Sequence, residues 1–379
     1  MFKRVPFTLG DLTDHQWGTD DILTGADNTI PRPITNFLVG DAGGSMFDFS
    51  RGGDDTFFGG SFNVINIVYG DALRNMSDHS KGGDDTFTGG SLHSVNTFYG
   101  DAGDSMSDHS EGGNDTFTGG PLSFVNTFVG DAGGHISNHS KGGDDTFTVL
   151  AATFGVSNTF YGDAAGNMSG HAEGGNDSFM ASGSTFNEVT GDAATMSGRA
   201  VGGNDYLTCG NTSGGGENIL RGDAFAMSDF AHGGNDVLTG GSNSGSGQLN
   251  NFLYGDALSL SGCSKGGNDI LYAGTAAAGS TVNNVMWGDG LLSGGAEGGR
   301  DQFVFKDDGV MTVGTQNTIE DFSQSQHDQI KFIDVAGVQS FDDLVITQSA
   351  TDTVITAGED QVTLHNFTGS LTEKDFLFA

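Results

Sequence analysis

Residues 112–141 read GGNDTFTGGPLSFVNTFVGDAGGHISNHSK, and this stretch decides the fold. It holds two short runs of period two, Asp115 to Thr118 and Asn126 to Val129, each bounded by Gly-Gly or Gly-Asp. Alternation over so few residues between turn formers predicts a short strand, with Phe117 and Phe128 inward and threonine outward. The inward position recurs as Phe57, Phe87, Phe117, Phe147, Phe179, Leu207, Leu238, Leu271 and Phe303. On the second strand it recurs as Leu38, Val68, Phe98, Phe128, Phe160, Val189, Leu220, Leu253 and Met286, and every one of these positions is apolar.

The turns repeat as faithfully as the strands. Gly-Gly-Asn/Asp-Asp places an aspartate at Asp55, Asp85, Asp115, Asp145, Asp177, Asp205, Asp236, Asp269 and Asp301, after a degenerate first copy ending at Asp21. Gly-Asp-Ala places one at Asp41, Asp71, Asp101, Asp131, Asp163, Asp192, Asp223 and Asp256, and Gly-Asp-Gly places the last at Asp289. Four consecutive copies lie 30 residues apart, and later spacings run from 28 to 33. A period of this size means stacked units that bury their apolar faces only against one another. The expected architecture is all-β: a parallel β-roll or β-helix solenoid of about ten coils. Two strands per coil, spaced about 4.8 Å from coil to coil, would give two sheets around one thin core in a rod about 45 Å long.

Composition narrows the function. Glycine makes up 65 of 379 residues, but proline only 4, and 29 phenylalanines separate this chain from a disordered glycine-rich one. A net charge of −35 argues against nucleic acid and anionic lipid, which need basic patches, and argues for cations. No stretch approaches the 18 or so apolar residues of a membrane span. Met1 to Trp17 lacks the apolar core of a secretory signal peptide. Cys209 and Cys263 fall at different repeat positions and read as free thiols.

The Asp of Gly-Gly-Asn-Asp lies two residues before the inward Phe, so it shares that residue's parity and points away from solvent. Stacking then lines carboxylates up about 4.8 Å apart, where like charges cost about 1 kcal/mol each even in water and more when partly buried. A hard divalent cation between turns removes that repulsion. Ca2+, with its flexible shell of oxygen ligands, suits carboxylates and turn carbonyls better than Mg2+ does. The Gly-Gly-Asn-Asp aspartates are therefore candidate ligands. The nine aspartates of the second row are candidate ligands or ligand-orienting groups, with Asx-turn formation as their structural alternative. The residue before the first Asp row, such as Asp54, Asn114 and Asn204, would offer its backbone carbonyl, since Arg300 also occurs there. Asn36, Asn66, Asn96, Asn126, Asn158, Asn187, Asn218, Asn251 and Asn284 form a further row, read as an amide ladder in preference to weak neutral ligands.

Here the chain resembles a known family. Gly113-Asn-Asp-Thr-Phe-Thr-Gly-Gly120 matches the G-x-D-x-U-x-G-G portion of the nonapeptide G-G-x-G-x-D-x-U-x of RTX, or hemolysin-type calcium-binding repeat, proteins. The resemblance covers residues 18–305 and implies a parallel β-roll with several Ca2+ ions in its turns. The chain departs from the family pattern in two ways. About ten residues, such as Gly103 to Glu111, are inserted between Gly-Asp-Ala and Gly-Gly-Asn-Asp, and the opposite turn carries Asn in place of Asp. Residues 1–17 read as an N-terminal cap and 306–379 as a C-terminal β cap. Ile319-Glu-Asp-Phe322, Asp328-Gln-Ile-Lys-Phe332, Asp352-Thr-Val-Ile355 and the terminal Asp375-Phe-Leu-Phe378 resemble the C-terminal region of RTX proteins exported by type I secretion machinery. That likeness implies a secreted, extracellular protein exported without a cleaved N-terminal signal.

Other features read as structural. The Met row (Met46, Met76, Met106, Met168, Met196, Met227) suits a satellite core under the inserted loop. His79, His109, His139 and His171 share one position and could as a rank bind zinc or copper, but Phe49, Arg199, Phe230, Cys263 and Gly295 occupy it elsewhere, so solvated loop histidines fit better. Thr86/Thr88, Thr116/Thr118 and Thr146/Thr148 make a short outward array like those of ice-binding solenoids, which β propensity alone explains. No nucleophile-elbow, zinc-protease or phosphate-loop motif occurs. The reading is a calcium-binding rod with a structural or adhesive role, facing extracellular polysaccharide or a cell surface. A polysaccharide-modifying enzyme on the solenoid face, or an ice- or glycan-binding module, is the alternative.

Overall fold

The Thr-Phe-Thr runs are three-residue strands, Thr86–Thr88 and Thr116–Thr118 among them, with Phe87 and Phe117 wholly buried between outward-facing threonines. The computed structural model describes residues 3–4, 8–149, 155–183, 186–307 and 315–379. It is all-β, with about ten coils stacked in parallel as a β-solenoid. Twelve strands, from Ile22–Thr24 to Phe376–Phe378, make the first wall. Thirteen make the second, from Ile34–Val39 through Val125–Val129 to the C-terminal hairpin strands. Register is strict: Phe117 sits beside Phe87 and Phe147, and Phe128 beside Phe98 and Phe160. The inward rows expected from the sequence are therefore one continuous core.

The expectation of two walls needs correction, because the coil has three. The segment after Gly-Asp, taken as a loop insertion, is a third wall. Ala164–Met168, Ala193–Met196, Ala224–Met227, Ala257–Leu260 and Leu291–Leu292 form a five-stranded sheet. Earlier coils continue it through single bridges such as Ala72↔Ala102 and Met76↔Met106. The Ala of Gly-Asp-Ala and the Met row are both fully buried and make a second core separate from the Phe column. Small and flexible apolar residues suit it because this wall lies close to the glycine-rich turns.

The last coils close differently from the rest. Gln329–Ile333 and Phe376–Phe378 extend the first wall, while Asp360–Leu364 pairs with Thr315–Ile319 and turns back as an antiparallel pair with Thr353–Ala357. Phe322, Val335, Ile355 and Phe376 pack onto the end of the Phe column and keep it from water. No helix among the described residues is long and apolar enough to cross a membrane.

The Phe column sets the scale of stability. Phe117 has no exposed surface and stacks within 5.0–5.2 Å, centroid to centroid, of Phe147 and Phe87. Phe117→Ala should destabilise the rod by about 3–5 kcal/mol in chemical denaturation, by leaving a cavity its neighbours cannot fill. A loss under about 1 kcal/mol would show that the column is not close-packed there.

Candidate metal centre

Both aspartate rows lie inside the coil, bracketed along the chain by the Phe core on one side and the Ala-Met core on the other. From Asp55 to Asp301 in the first row and from Asp41 to Asp289 in the second, every predicted ligand is buried to 2% exposure or less. The Gly-Gly-Asn-Asp row is a ladder. The backbone N–H of Asp85 donates to Asp115 Oδ1 at 2.7 Å, that of Asp115 to Asp145 Oδ1 at 2.6 Å, and the pattern runs through Asp177, Asp205, Asp236 and Asp269. Each carboxylate thus spends one oxygen on the preceding coil. In the Gly-Asp-Ala row the carboxylate accepts from the second glycine of the following turn, as Gly143 N–H to Asp131 at 2.9 Å and Gly175 N–H to Asp163 at 2.8 Å.

The other oxygens are left over. Oδ2 of Asp55, Asp85, Asp115, Asp145, Asp177, Asp205, Asp236, Asp269 and Asp301 is buried and receives no hydrogen bond. The same holds for one oxygen of Asp71, Asp131, Asp163, Asp192, Asp223 and Asp256. An unpaired buried charge is costly, so these groups resist ionising. Burial is the first cause in each case: it pushes Asp41, Asp101, Asp163 and Asp223 up to about 6 and Asp55 up to about 8. Asp85 and Asp115 rise well above the carboxylate range, with burial foremost and repulsion from neighbouring aspartates adding to it.

Glycine brings the two rows together. A Cβ on Gly100 would fall 1.8 Å from Asp115 Oδ2 and 1.9 Å from the Gly130 carbonyl oxygen. One on Gly112 would fall 1.6 Å from Asp131 Oδ1. Carboxylate and carbonyl oxygens of adjacent coils therefore converge beside the glycine Cα atoms. The donor set is oxygen alone, the set hard cations take. Among the described residues no group of three or more His, Cys, Asp or Glu side chains converges on one point as a cage. An ion would have to be held by carboxylates from adjacent coils together with turn carbonyls.

The chain carries this pattern one coil beyond the eighteen positions read from sequence. The Asp301 N–H donates to Asp328 Oδ1, so Asp328 continues the first row, while Asp321 caps the last Gly-Asp turn, accepting from the N–H groups of Gly288, Asp289 and Gly290. Burial raises them to about 7 and about 8. The signal was present in Asp328-Gln-Ile330, an Asp two residues before an inward apolar residue, without the flanking glycines.

The asparagine row is a self-contained amide ladder. Asn66 Nδ2 donates to Asn96 Oδ1 at 2.8 Å, Asn96 to Asn126, and Asn126 to Asn158, continuing to Asn317. Asn66 and Asn96 also accept from Gly60 and Gly90 N–H, so their amides are used up by protein and no ligand remains for an ion. On the outer rim, Asp54, Asp84, Asn114 and Asp144 are exposed, each side chain accepting the backbone N–H of the next coil's equivalent residue. Cys209 and Cys263 are both free thiols, one buried and one exposed. Comparison with protein-family models, with curated proteins and with solved structures finds no match to this chain.

Proposed function

We propose that the two interior aspartate rows bind several Ca2+ ions, and that the chain is a secreted rod of RTX type which folds when it meets Ca2+ outside the cell. The observation that carries this reading is the set of buried carboxylate oxygens without a donor, repeated coil after coil beside carbonyl oxygens. Cation coordination supplies what such oxygens lack and removes the repulsion between rows. The strict coil period and the excess of acid over base fit a protein whose stability comes from ions taken up along its length. A rod of this kind serves as a structural or adhesive element at a cell surface or in an extracellular matrix, and export through type I machinery matches the motifs of residues 319–378.

Calorimetry tests the binding directly. Titration of Ca2+ into chelator-treated protein should reveal multiple sites with affinities of about 10⁻⁴–10⁻³ M, the range of extracellular calcium modules. Asp115→Ala should remove only local binding and reduce cooperativity, since coils couple to their neighbours alone. One site or none in the wild type, or loss of all sites in Asp115→Ala, would defeat the proposal.

A further inference from the structure

The histidines that share one repeat position stand at the third-wall turn as a continuous stacked column. His15, Phe49, His79, His109, His139 and His171 stack ring on ring, with successive centroids 5.3, 4.8, 4.9, 5.0 and 4.7 Å apart. The last two ring pairs are nearly parallel, at 4° and 7°. The turn beneath fixes them. Asp78-His79, Asp108-His109 and Asn138-His139 all take two successive left-handed residues, a conformation that Asp, Asn and His tolerate best among residues with a Cβ. His79 N–H then bonds Asp108 O, and His109 N–H bonds Asn138 O, so each turn is pinned to the next.

The four consecutive imidazoles, His79 to His171, are exposed, and no described hydrogen bond or ion pair engages their ring nitrogens. His135 and His365 differ. His135 Nδ1 accepts from Asn167 N–H, and His365 pairs with Glu320. The acidic neighbours are also committed, Asp108 to Asn138 Nδ2 and Ser107 Oγ, and Asp78 to Ser77 Oγ. What remains is a rank of imidazole nitrogens at coil spacing.

We propose that adjacent imidazoles of this column bind borderline divalent transition metals such as Zn2+, two rings to an ion, at sites distinct from the interior carboxylates. Imidazole selects such ions over Ca2+, whose ligands are oxygens. Metal–nitrogen bonds of about 2.0–2.1 Å set two nitrogens on one tetrahedral ion about 3.3 Å apart. The rings need only tilt toward each other from their present spacing, and exposed side chains with two free torsions can do so. Water completes the shell, consistent with the lack of a three-residue cage. The column pairs as His79 with His109 and His139 with His171, so two ions is the limit.

The native sequence supplies the control, because Phe49 already holds this position with its ring in the stack. Zn2+ is titrated into the Ca2+-saturated chain by calorimetry, with His Cε1–H resonances followed in parallel. The wild type should bind up to two Zn2+ and shift the four histidine resonances. His109→Phe should keep the fold and retain one site, at His139 and His171. His109→Phe with His139→Phe should lose both while its circular dichroism stays unchanged. An unchanged isotherm in the double variant would place Zn2+ on the carboxylates and overturn the inference, and so would a wild type that takes up none. Neither result bears on Ca2+ binding, which the same samples report separately.

Discussion

In EDTA at about pH 8 the chain should give the circular dichroism of a coil, and about millimolar Ca2+ should restore the β spectrum where Mg2+ does so far less. The reason is the cost of ionising the interior. Asp101 is moved from 3.8 to about 6, and at about 1.4 kcal/mol per unit its ionisation inside the fold costs about 3 kcal/mol. Nearly twenty carboxylates share its surroundings, against a whole-domain stability of about 5–15 kcal/mol. A metal-free rod with all of them charged cannot stand. Ions bound only to the folded state restore the balance by mass action.

The same shifts predict what acid does. These carboxyls have folded-state values above their unfolded ones, so between the two the folded chain holds more protons and is favoured as pH falls. The contribution is complete below about 4 and is lost as pH rises through the folded values, about 6 for Asp101 and Asp223 and about 8 for Asp55 and Asp321. In EDTA, β structure should therefore appear on acidification toward pH 4–5 and melt away on return to pH 8. Protons and Ca2+ become alternative ways of neutralising one interior. A β spectrum that persists in EDTA at pH 8 would mean that the turns hold without either.

Much of this was legible in the residues. Phe117 and Phe128 announce inward positions because strand parity is local, and the repeat turns one correct assignment into nine. The third wall was hidden because Ala132 and Ile136 are joined to neighbouring coils by single bridges, too short for any alternation to show. Asp321 and Asp328 were missed because the glycines that mark the other copies are absent there, although stacking puts Asp328 in the first row and Asp321 over the Gly288–Gly290 turn. The depth of the aspartates was half seen. Parity turned Asp115 away from solvent, but only the third wall makes both rows interior. The rank of His79, His109, His139 and His171 was legible from the repeat, but not the joining of Phe49 and His15 to the same ring stack.

Gly143→Ala should disrupt the rod more than any loss of a single core contact. A Cβ at Gly143 would lie 1.4 Å from the Gly113 carbonyl oxygen and 2.5 Å from its carbon, both backbone atoms of the coil below. No side chain can rotate out of the way, so relief requires the coils to separate. Separation breaks the N–H of Asp115 to Asp145 Oδ1, and it moves apart the oxygens proposed to share an ion. The cost should exceed about 4 kcal/mol, at the extreme of single substitutions. Because each coil contacts only its neighbours, the damage should divide the molecule. Calcium-loaded Gly143→Ala should melt in two transitions, one for each side of the break, or fail to fold. Gly10→Ala is the matched control, since nothing lies within 4 Å of the added carbon, and it should shift stability by no more than about 0.5 kcal/mol. A Gly143→Ala chain that melts in one wild-type transition would mean the coils can part without loss, and the close contact between successive Gly-Gly turns would have no role in holding the aspartate rows together.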